Sequence, residues 1–258
     1  MSKTFGPEGD ICATKQQDWN ITVECHDSCP FCDEYDSCDW QSCYDDVGFI
    51  EKLIEIVSET WCINLDHMHM SGLSNGGMFS YFVANHAKDA LGLATINPVA
   101  ASPHVGFGNP PTDIPKKFSI LDIHGEMDYT IPYNISSPYC VAPSPTEGVV
   151  SYDGFYFEQK PVLVEEWSKA MNCENEMAYP TPYDGEENFH CSQRKCSENR
   201  NFVTCSGNFG HRYPLSDSRA AKVAWEFMKN HPKGNVGHSN KLSLSILCFS
   251  FLVKFILK

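Results

Sequence analysis

The sequence predicts an α/β fold with a mainly parallel sheet flanked by helices, and three observations support this class. The chain has 258 residues, 42% of them hydrophobic and 20% charged, which is the balance of a globular domain. Short apolar runs alternate along the chain with segments whose apolar residues recur every three or four positions. Strands that alternate with helices usually pair in parallel, because each helix returns the chain to the same end of the sheet.

The individual elements follow from these patterns. Apolar residues from Val47 to Val57 recur at helical spacing, and Asp45 and Asp46 suit the N-terminus of that helix. Further helices are predicted at 77–86, 159–172 and 216–230, and strands at 67–70, 91–97, 118–124 and 201–205. Segments 101–117 and 141–158 are rich in Pro and Gly and are predicted to be excursions above the sheet.

The charge of the chain excludes one class of function. The formal net charge is −14 at pH 7. Nucleic-acid binding requires a basic surface that neutralises phosphates, so no nucleic-acid partner is expected.

Cysteines indicate the compartment. The chain has 13 of them, and Cys248 lies in an apolar tail, which leaves an even number that could all pair. Two N-glycosylation sequons, at Asn20 and Asn134, also favour the secretory route. The alternative is a zinc site, since four cysteines have suitable spacing: Cys29, Cys32, Cys38 and Cys43. Disulfides are the preferred interpretation, and their connectivity stays open.

Three regions are expected along the chain. Residues 1–44 form a Cys-rich irregular segment, residues 45–233 the α/β domain, and residues 234–258 a polar spacer with an apolar tail. The tail is shorter than the roughly 20 residues of a spanning helix. It resembles a GPI-attachment signal, whose apolar part is removed. A short membrane anchor and a helix packed on the domain are the alternatives.

The turn after the first strand contains the candidate nucleophile. Gly72, Ser74 and Gly76 form a G-x-S-x-G pattern between a predicted strand and a predicted helix. A nucleophile elbow needs small residues around the serine, because the turn is strained and strand and helix approach closely. The alternative is a glycine-rich turn with an incidental serine.

An acid and a base follow in the order that such a serine needs. Asp128 comes directly after the third predicted strand, and His211 comes after the fourth. The carboxyl ends of parallel strands meet at one sheet edge, so Ser74, Asp128 and His211 are predicted to form a Ser-Asp-His triad there. His124, at the end of the third strand, is expected to support the acid.

With these residues, the chain resembles the esterase family of polyhydroxybutyrate depolymerases and feruloyl or acetylxylan esterases, within the α/β-hydrolase fold. The matching stretches are DDVGFIEKLI (45–54), MSGLSNGGMFSY (70–81), INPVAA (96–101), ILDIHGEMDYTIPY (120–133), EEWSKAMNC (165–173) and GHRYP (210–214). The resemblance implies Ser74 as nucleophile, Asp128 as acid, His211 as base and the Asn75 backbone N–H as an oxyanion donor. It also implies a secreted serine esterase, a small-molecule or polymeric ester as substrate, and no metal or other cofactor.

The chain departs from this family at two places. Arg212 and Tyr213 follow the histidine, where the family usually has a small residue and Trp. The family also has about a hundred residues before the position of Asp45, including a His-Gly loop with the second oxyanion donor, and this chain has 44. The hydrolase fold is therefore expected to be incomplete at its N-terminus. A catalytically inactive binding protein of the same fold and a serine peptidase are the alternative functions.

Overall fold

The computed structural model describes residues 5–6, 9–10, 46–87, 91–104, 118–140, 142–143, 148–152 and 156–233. Several predictions lie outside these residues: the Asn20 sequon, the four candidate zinc ligands, Cys248 and the C-terminal region 234–258.

Eleven strands and four α-helices are present in the described residues. In chain order they are β1 (Phe5–Gly6), β2 (Gly9–Asp10), α1 (Asp46–Thr60), β3 (His69–Leu73), α2 (Asn75–His86), β4 (Thr95–Val99), β5 (Ser119–Gly125), β6 (Ala142–Pro143), β7 (Val149–Val150), β8 (Tyr156–Phe157), α3 (Lys160–Ala170), β9 (Met177–Ala178), β10 (His190–Cys196), β11 (Arg200–Gly207) and α4 (Asp217–Asn230).

The central sheet has six strands in the order β3-β4-β5-β11-β10-β9. The first four are parallel to one another, which confirms the α/β architecture. β10 pairs antiparallel with both β11 and β9, so the sheet is mixed, and the sequence did not predict these two strands. The excursion at 141–158 contains a further small antiparallel sheet, in the order β6-β7-β8.

Two strands begin later than predicted. β3 starts at His69 and continues to Leu73, and β4 starts at Thr95. Leu91 and Gly92 cannot extend β4, because both have a positive φ (56° and 70°) that extended backbone does not allow. The four predicted helices are confirmed, with shifts of a few residues at their ends.

Buried side chains lie on both faces of the sheet. Ile120 and Phe202 pack with α2 and α3 residues such as Tyr81 and Trp167 on one face. Their strand neighbours point the opposite way and pack with α4 residues, as strand geometry requires: Leu121, Val203, Val223 and Phe227 belong to this second cluster. Helices thus cover both faces of the sheet, so a catalytic site is expected at the ends of its strands.

A proline interrupts the central strand β4. Pro98 has no N–H to donate to the ladder, and the β4–β5 pairing skips from Ile96 to Val99. The Asn97 side chain donates to Leu121 O at 2.5 Å and supplies a hydrogen bond at the gap. The end of β4 therefore stays fixed beside the elbow that follows β3.

Disulfides are present, as predicted. Cys173 is bonded to Cys196, and Cys191 to Cys205, which is its cross-strand neighbour in β10 and β11. Cys62 is also disulfide-bonded. Cys140 is a free thiol, so the cysteines other than Cys248 do not all pair. Structural disulfides persist in oxidising compartments.

None of the helices in the described ranges is long and apolar enough to span a bilayer.

Candidate active site

Ser74 lies at the turn between β3 and α2, in a strained backbone conformation. Its φ of 56° and ψ of −121° fall in a region that side chains other than glycine rarely adopt. The Ser74 N–H donates to Val99 O at 2.8 Å, which attaches the turn to the end of β4. Backbone strain of this kind, maintained by the surrounding structure, is typical of functional turns.

Two glycines permit this turn. A Cβ on Gly72 would lie 2.2 Å from the Gly76 carbonyl carbon, and one on Gly77 would lie 2.5 Å from the Ala101 Cβ. A Cβ on Gly76 would meet nothing within 4 Å. The expectation that Gly76 is needed for close packing is therefore wrong: Gly72 and Gly77 are the positions where strand and helix touch.

The N-terminus of α2 points at the elbow. Gly77 N–H and Met78 N–H donate to Ser74 O at 2.9 and 3.0 Å. For the Asn75 N–H, no acceptor is found among the residues that the structure describes. This free donor follows the serine directly and, with the positive end of the helix dipole, suits a developing oxyanion.

Asp128 is fully buried at the carboxyl end of β5. Its Oδ1 accepts hydrogen bonds from Thr130 N–H and Ile131 N–H, both at 2.8 Å. Its Oδ2 lies 2.9 Å from His211 Nδ1 and 3.3 Å from His124 Nε2. Burial alone would raise the pKa of Asp128, but hydrogen bonds from these two histidines lower it well below its usual range. The carboxylate therefore stays ionised.

His211 lies in the loop after β11 with its imidazole oriented by Asp128. Because a carboxylate oxygen only accepts, Nδ1 carries the proton of that 2.9 Å hydrogen bond. Nε2 is then the basic nitrogen, and the side chain is 14% exposed. This is the tautomer that a general base next to a serine requires.

The loop after β5 that carries Asp128 (the acid loop) and the loop after β11 that carries His211 (the base loop) are joined by their backbones. Glu126 N–H donates to Gly207 O at 2.9 Å, and Met127 N–H donates to Phe209 O at 3.2 Å. A Cβ on Gly125 would lie 1.9 Å from Phe209 O, so this close approach depends on glycine. The spacing of Asp128 and His211 is thus set by the main chain.

The third contact of the predicted triad is not formed. Within the described part of the chain, no hydrogen bond joins Ser74 Oγ to His211 Nε2. In substrate-free enzymes such contacts are often long and shorten only in the complex. The structure brings Asp128 and His211 together, and it places Ser74 at the same edge of the sheet, two strands away from the strand that precedes Asp128.

His124 supports the acid, as expected. Its Nε2 lies 3.0 Å from Ile131 O and 3.3 Å from Asp128 Oδ2, which are both acceptors, so Nε2 carries the proton. The side chain is fully buried. His124 therefore fixes both the carboxylate and the turn that follows it.

A buried ionic group that the sequence did not reveal lies between β5, α2 and α3. Lys160 Nζ donates to Asp122 Oδ2 at 2.7 Å and to Ala101 O at 2.5 Å, and the Tyr81 hydroxyl donates to the same Asp122 oxygen. Burial lowers the pKa of Lys160 and raises that of Tyr81. Lys160 N–H also donates to Tyr133 O at 2.9 Å. Lys160 thus connects Asp122 of β5, the segment after β4 and the loop after Asp128, and shares Asp122 with Tyr81 of α2. A single lysine in a mixed stretch gives no sequence signal for this.

The sequon at Asn134 lies in the loop after Asp128. Asn134 Oδ1 accepts from Ser136 N–H at 2.9 Å, and both Ile135 and Ser136 are exposed.

Across the described ranges, His, Cys, Asp and Glu side chains form no group of three or more that could bind a metal.

Neither the protein-family models nor the curated proteins that were searched contain a match to this chain.

Proposed function

We propose that the chain is a serine esterase of the α/β-hydrolase type, which cleaves carboxylic esters through an acyl-enzyme on Ser74. The observation that carries the proposal is the buried, ionised Asp128 whose Oδ2 lies 2.9 Å from His211 Nδ1, at the sheet edge where Ser74 occupies its strained turn. The esters considered are of the polyhydroxyalkanoate, feruloyl or acetyl type.

The proposed reaction has two halves. His211 Nε2 takes the proton of Ser74 Oγ while the oxygen attacks the ester carbonyl carbon, and the Asn75 N–H donates to the oxyanion. As the tetrahedral intermediate collapses, the C–O bond to the alcohol breaks and His211 Nε2 returns its proton to the leaving oxygen. Water, deprotonated by His211 Nε2, then attacks the acyl carbon. The bond from that carbon to Ser74 Oγ breaks, and His211 Nε2 returns the proton to Oγ as the acid is released. Asp128 remains ionised throughout.

A substrate panel tests this proposal. The full chain is produced in a secretory host and assayed with p-nitrophenyl acetate, a feruloyl sugar ester, an acetylated xylan oligomer, a hydroxybutyrate oligomer and an N-acyl peptide. We expect ester hydrolysis that falls roughly 10⁴–10⁶-fold in Ser74→Ala. Ser218→Ala, at an exposed serine of α4, is the matched control and should retain activity. Cleavage of the peptide alone would identify a peptidase instead.

The second candidate is a non-catalytic binding protein of the same fold. The missing Ser74–His211 hydrogen bond favours it. It predicts that every ester in the panel is hydrolysed at the rate of the Ser74→Ala variant.

We also propose an extracellular or cell-surface location, in agreement with the disulfides, and attachment to the membrane through the C-terminal tail by GPI processing. Release of the protein from cells by phospholipase C tests this attachment. An intact C-terminal peptide in the mature protein would contradict it.

A further inference from the structure

We propose that Glu187 is a positioning residue that fixes the far half of the loop that carries His211. This inference rests on the proposed function, because it assigns Glu187 a role in presenting the general base. This base loop consists of residues 207–215.

The two halves of the base loop are fixed by different partners. Its first half is joined to the acid loop through Gly207 O and Phe209 O, as described above. Its second half, which leads from His211 to α4, has no such backbone ladder in the described residues. This half makes hydrogen bonds to the short 3₁₀ turn Glu186–Asn188, which precedes β10, and its Tyr213 and Leu215 side chains pack against the apolar cluster that contains Val223 and Phe227.

Glu187 contacts the base loop at three points on both sides of His211. Its carbonyl oxygen accepts from Asn208 N–H at 2.7 Å. Its carboxylate accepts from Arg212 Nη2 at 2.9 Å through Oε1 and from Leu215 N–H at 3.2 Å through Oε2. One residue thus binds the loop three positions before the histidine, one position after it and four positions after it.

The conformation of Glu187 is itself unfavourable. It has a φ of 51°, and Gly185 and Asn188 in the same turn also have positive φ values. A non-glycine residue in this region costs free energy, which the surrounding contacts must offset. Hydrogen bonds within the turn, such as Phe189 N–H to Glu186 O at 2.7 Å, keep the backbone in place. The carboxylate is consequently presented to the base loop by a fixed backbone.

Charge supports the same assignment. Burial would raise the pKa of Glu187, but Arg212, the Leu215 N–H and Arg219 lower it, so the carboxylate is ionised. Arg212 directly follows His211, at a position where the esterases that the sequence resembles usually have a small residue. In this chain its guanidinium is paired with Glu187, which explains what the larger side chain does.

The Arg212–Glu187 pair is half exposed, with side-chain exposures of 49% and 32%. Exposed pairs contribute little to global stability. A positioning role therefore predicts a particular signature: a small effect on unfolding with a larger effect on turnover per active site.

The test uses Glu187→Gln and Glu187→Ala in the full chain. Glu186→Gln is the matched control, because Glu186 is adjacent, carries the same charge and pairs with Arg219 of α4 instead of the base loop. We expect kcat for p-nitrophenyl acetate, per fluorophosphonate-titrated site, to fall about 5- to 30-fold in Glu187→Ala with KM nearly unchanged. Glu187→Gln and Arg212→Gln should each show a smaller fall. The Glu187→Gln/Arg212→Gln double variant should be no worse than the more affected single variant.

Hydrogen exchange provides a readout that does not depend on catalysis. Amides of residues 208–215 should exchange faster in the Glu187 variants than in the wild type or Glu186→Gln. If the wild type hydrolyses no ester, the proposed function fails, and exchange alone decides whether Glu187 fixes the loop. Unchanged exchange, wild-type kcat in both Glu187 variants, or an equal loss in Glu186→Gln would each overturn the inference.

Discussion

Gly125→Ala should move the base loop away from β5 and so separate His211 from Asp128, without replacing either residue. The new Cβ would lie 1.9 Å from Phe209 O, whereas ordinary van der Waals contact begins at 3.4 Å. The base loop must therefore move by about 3.4 − 1.9 = 1.5 Å relative to β5. The His211–Asp128 hydrogen bond is 2.9 Å long and cannot survive such a shift.

The expected magnitudes follow from this displacement. A misplacement of about 1 Å at a reacting group can reduce the rate about 10²-fold. Overpacking of a buried site destabilises a protein by about 1–3 kcal/mol. Ester hydrolysis per titrated site and urea unfolding measure the two effects separately.

Gly76→Ala is the stability control, because a Cβ there meets nothing within 4 Å and alanine favours a helix. It should leave the free energy of unfolding unchanged or raise it. A Gly125→Ala protein with wild-type turnover and wild-type stability would refute the argument that backbone contact between the two loops sets the acid–base distance.

Three further predictions concern single groups. Asp128→Asn should reduce kcat by about 10⁴-fold, because the amide cannot maintain the His211 tautomer. Folding lowers the pKa of Asp128, so its carboxylate stabilises the protein above the unfolded pKa of about 3.9, and this contribution is lost as the pH falls further. In urea unfolding, the difference in the free energy of unfolding between wild type and Asp128→Asn should therefore narrow below about pH 4. Burial, His67 and His231 lower the pKa of His69 to about 4. As the pH falls, the unfolded state therefore binds the proton first, and the free energy of unfolding should decrease from about pH 6.5 to about pH 4. His69→Gln should reduce this pH dependence in urea unfolding, and an unchanged pH dependence would contradict the assignment. Replacing Cys191 and Cys205 by Ala should destabilise the protein by about 3 kcal/mol, since the bond closes a loop with a sequence separation of 14; thermal unfolding that matches the wild type would contradict this.

The elements that sequence patterns predicted are those with a clear helical period or a continuous buried run. Phe118 and the residues up to Ile123 form an uninterrupted buried run, and β5 was found almost at its correct bounds. β10 was missed because its sequence, HCSQRKC, is polar and half exposed, as is common near the edge of a sheet. Its partner β11 and the Cys191–Cys205 disulfide fix it instead. Such tertiary constraints leave no period in the sequence.

The residues of the candidate site likewise divide into those that the sequence could predict and those that it could not. Ser74, Asp128 and His211 follow strands, and parallel topology brings strand ends together, so their shared sheet edge could be predicted. Glu187 could not, because its role depends on a left-handed turn preceding β10, an element that the sequence did not indicate. The Lys160–Asp122 pair was hidden for a related reason: strand and helix partners 38 positions apart meet only after folding.

The reactivity of Ser74 tests the central claim most directly. The full chain is incubated with a fluorophosphonate, and the modified residue is mapped by mass spectrometry, alongside Ser74→Ala, His211→Gln and the Ser218→Ala control. The esterase account predicts a single adduct on Ser74, strongly slowed in His211→Gln and unaffected in Ser218→Ala. Wild-type protein that is folded but unlabelled at Ser74, or labelled equally fast without His211, would contradict it.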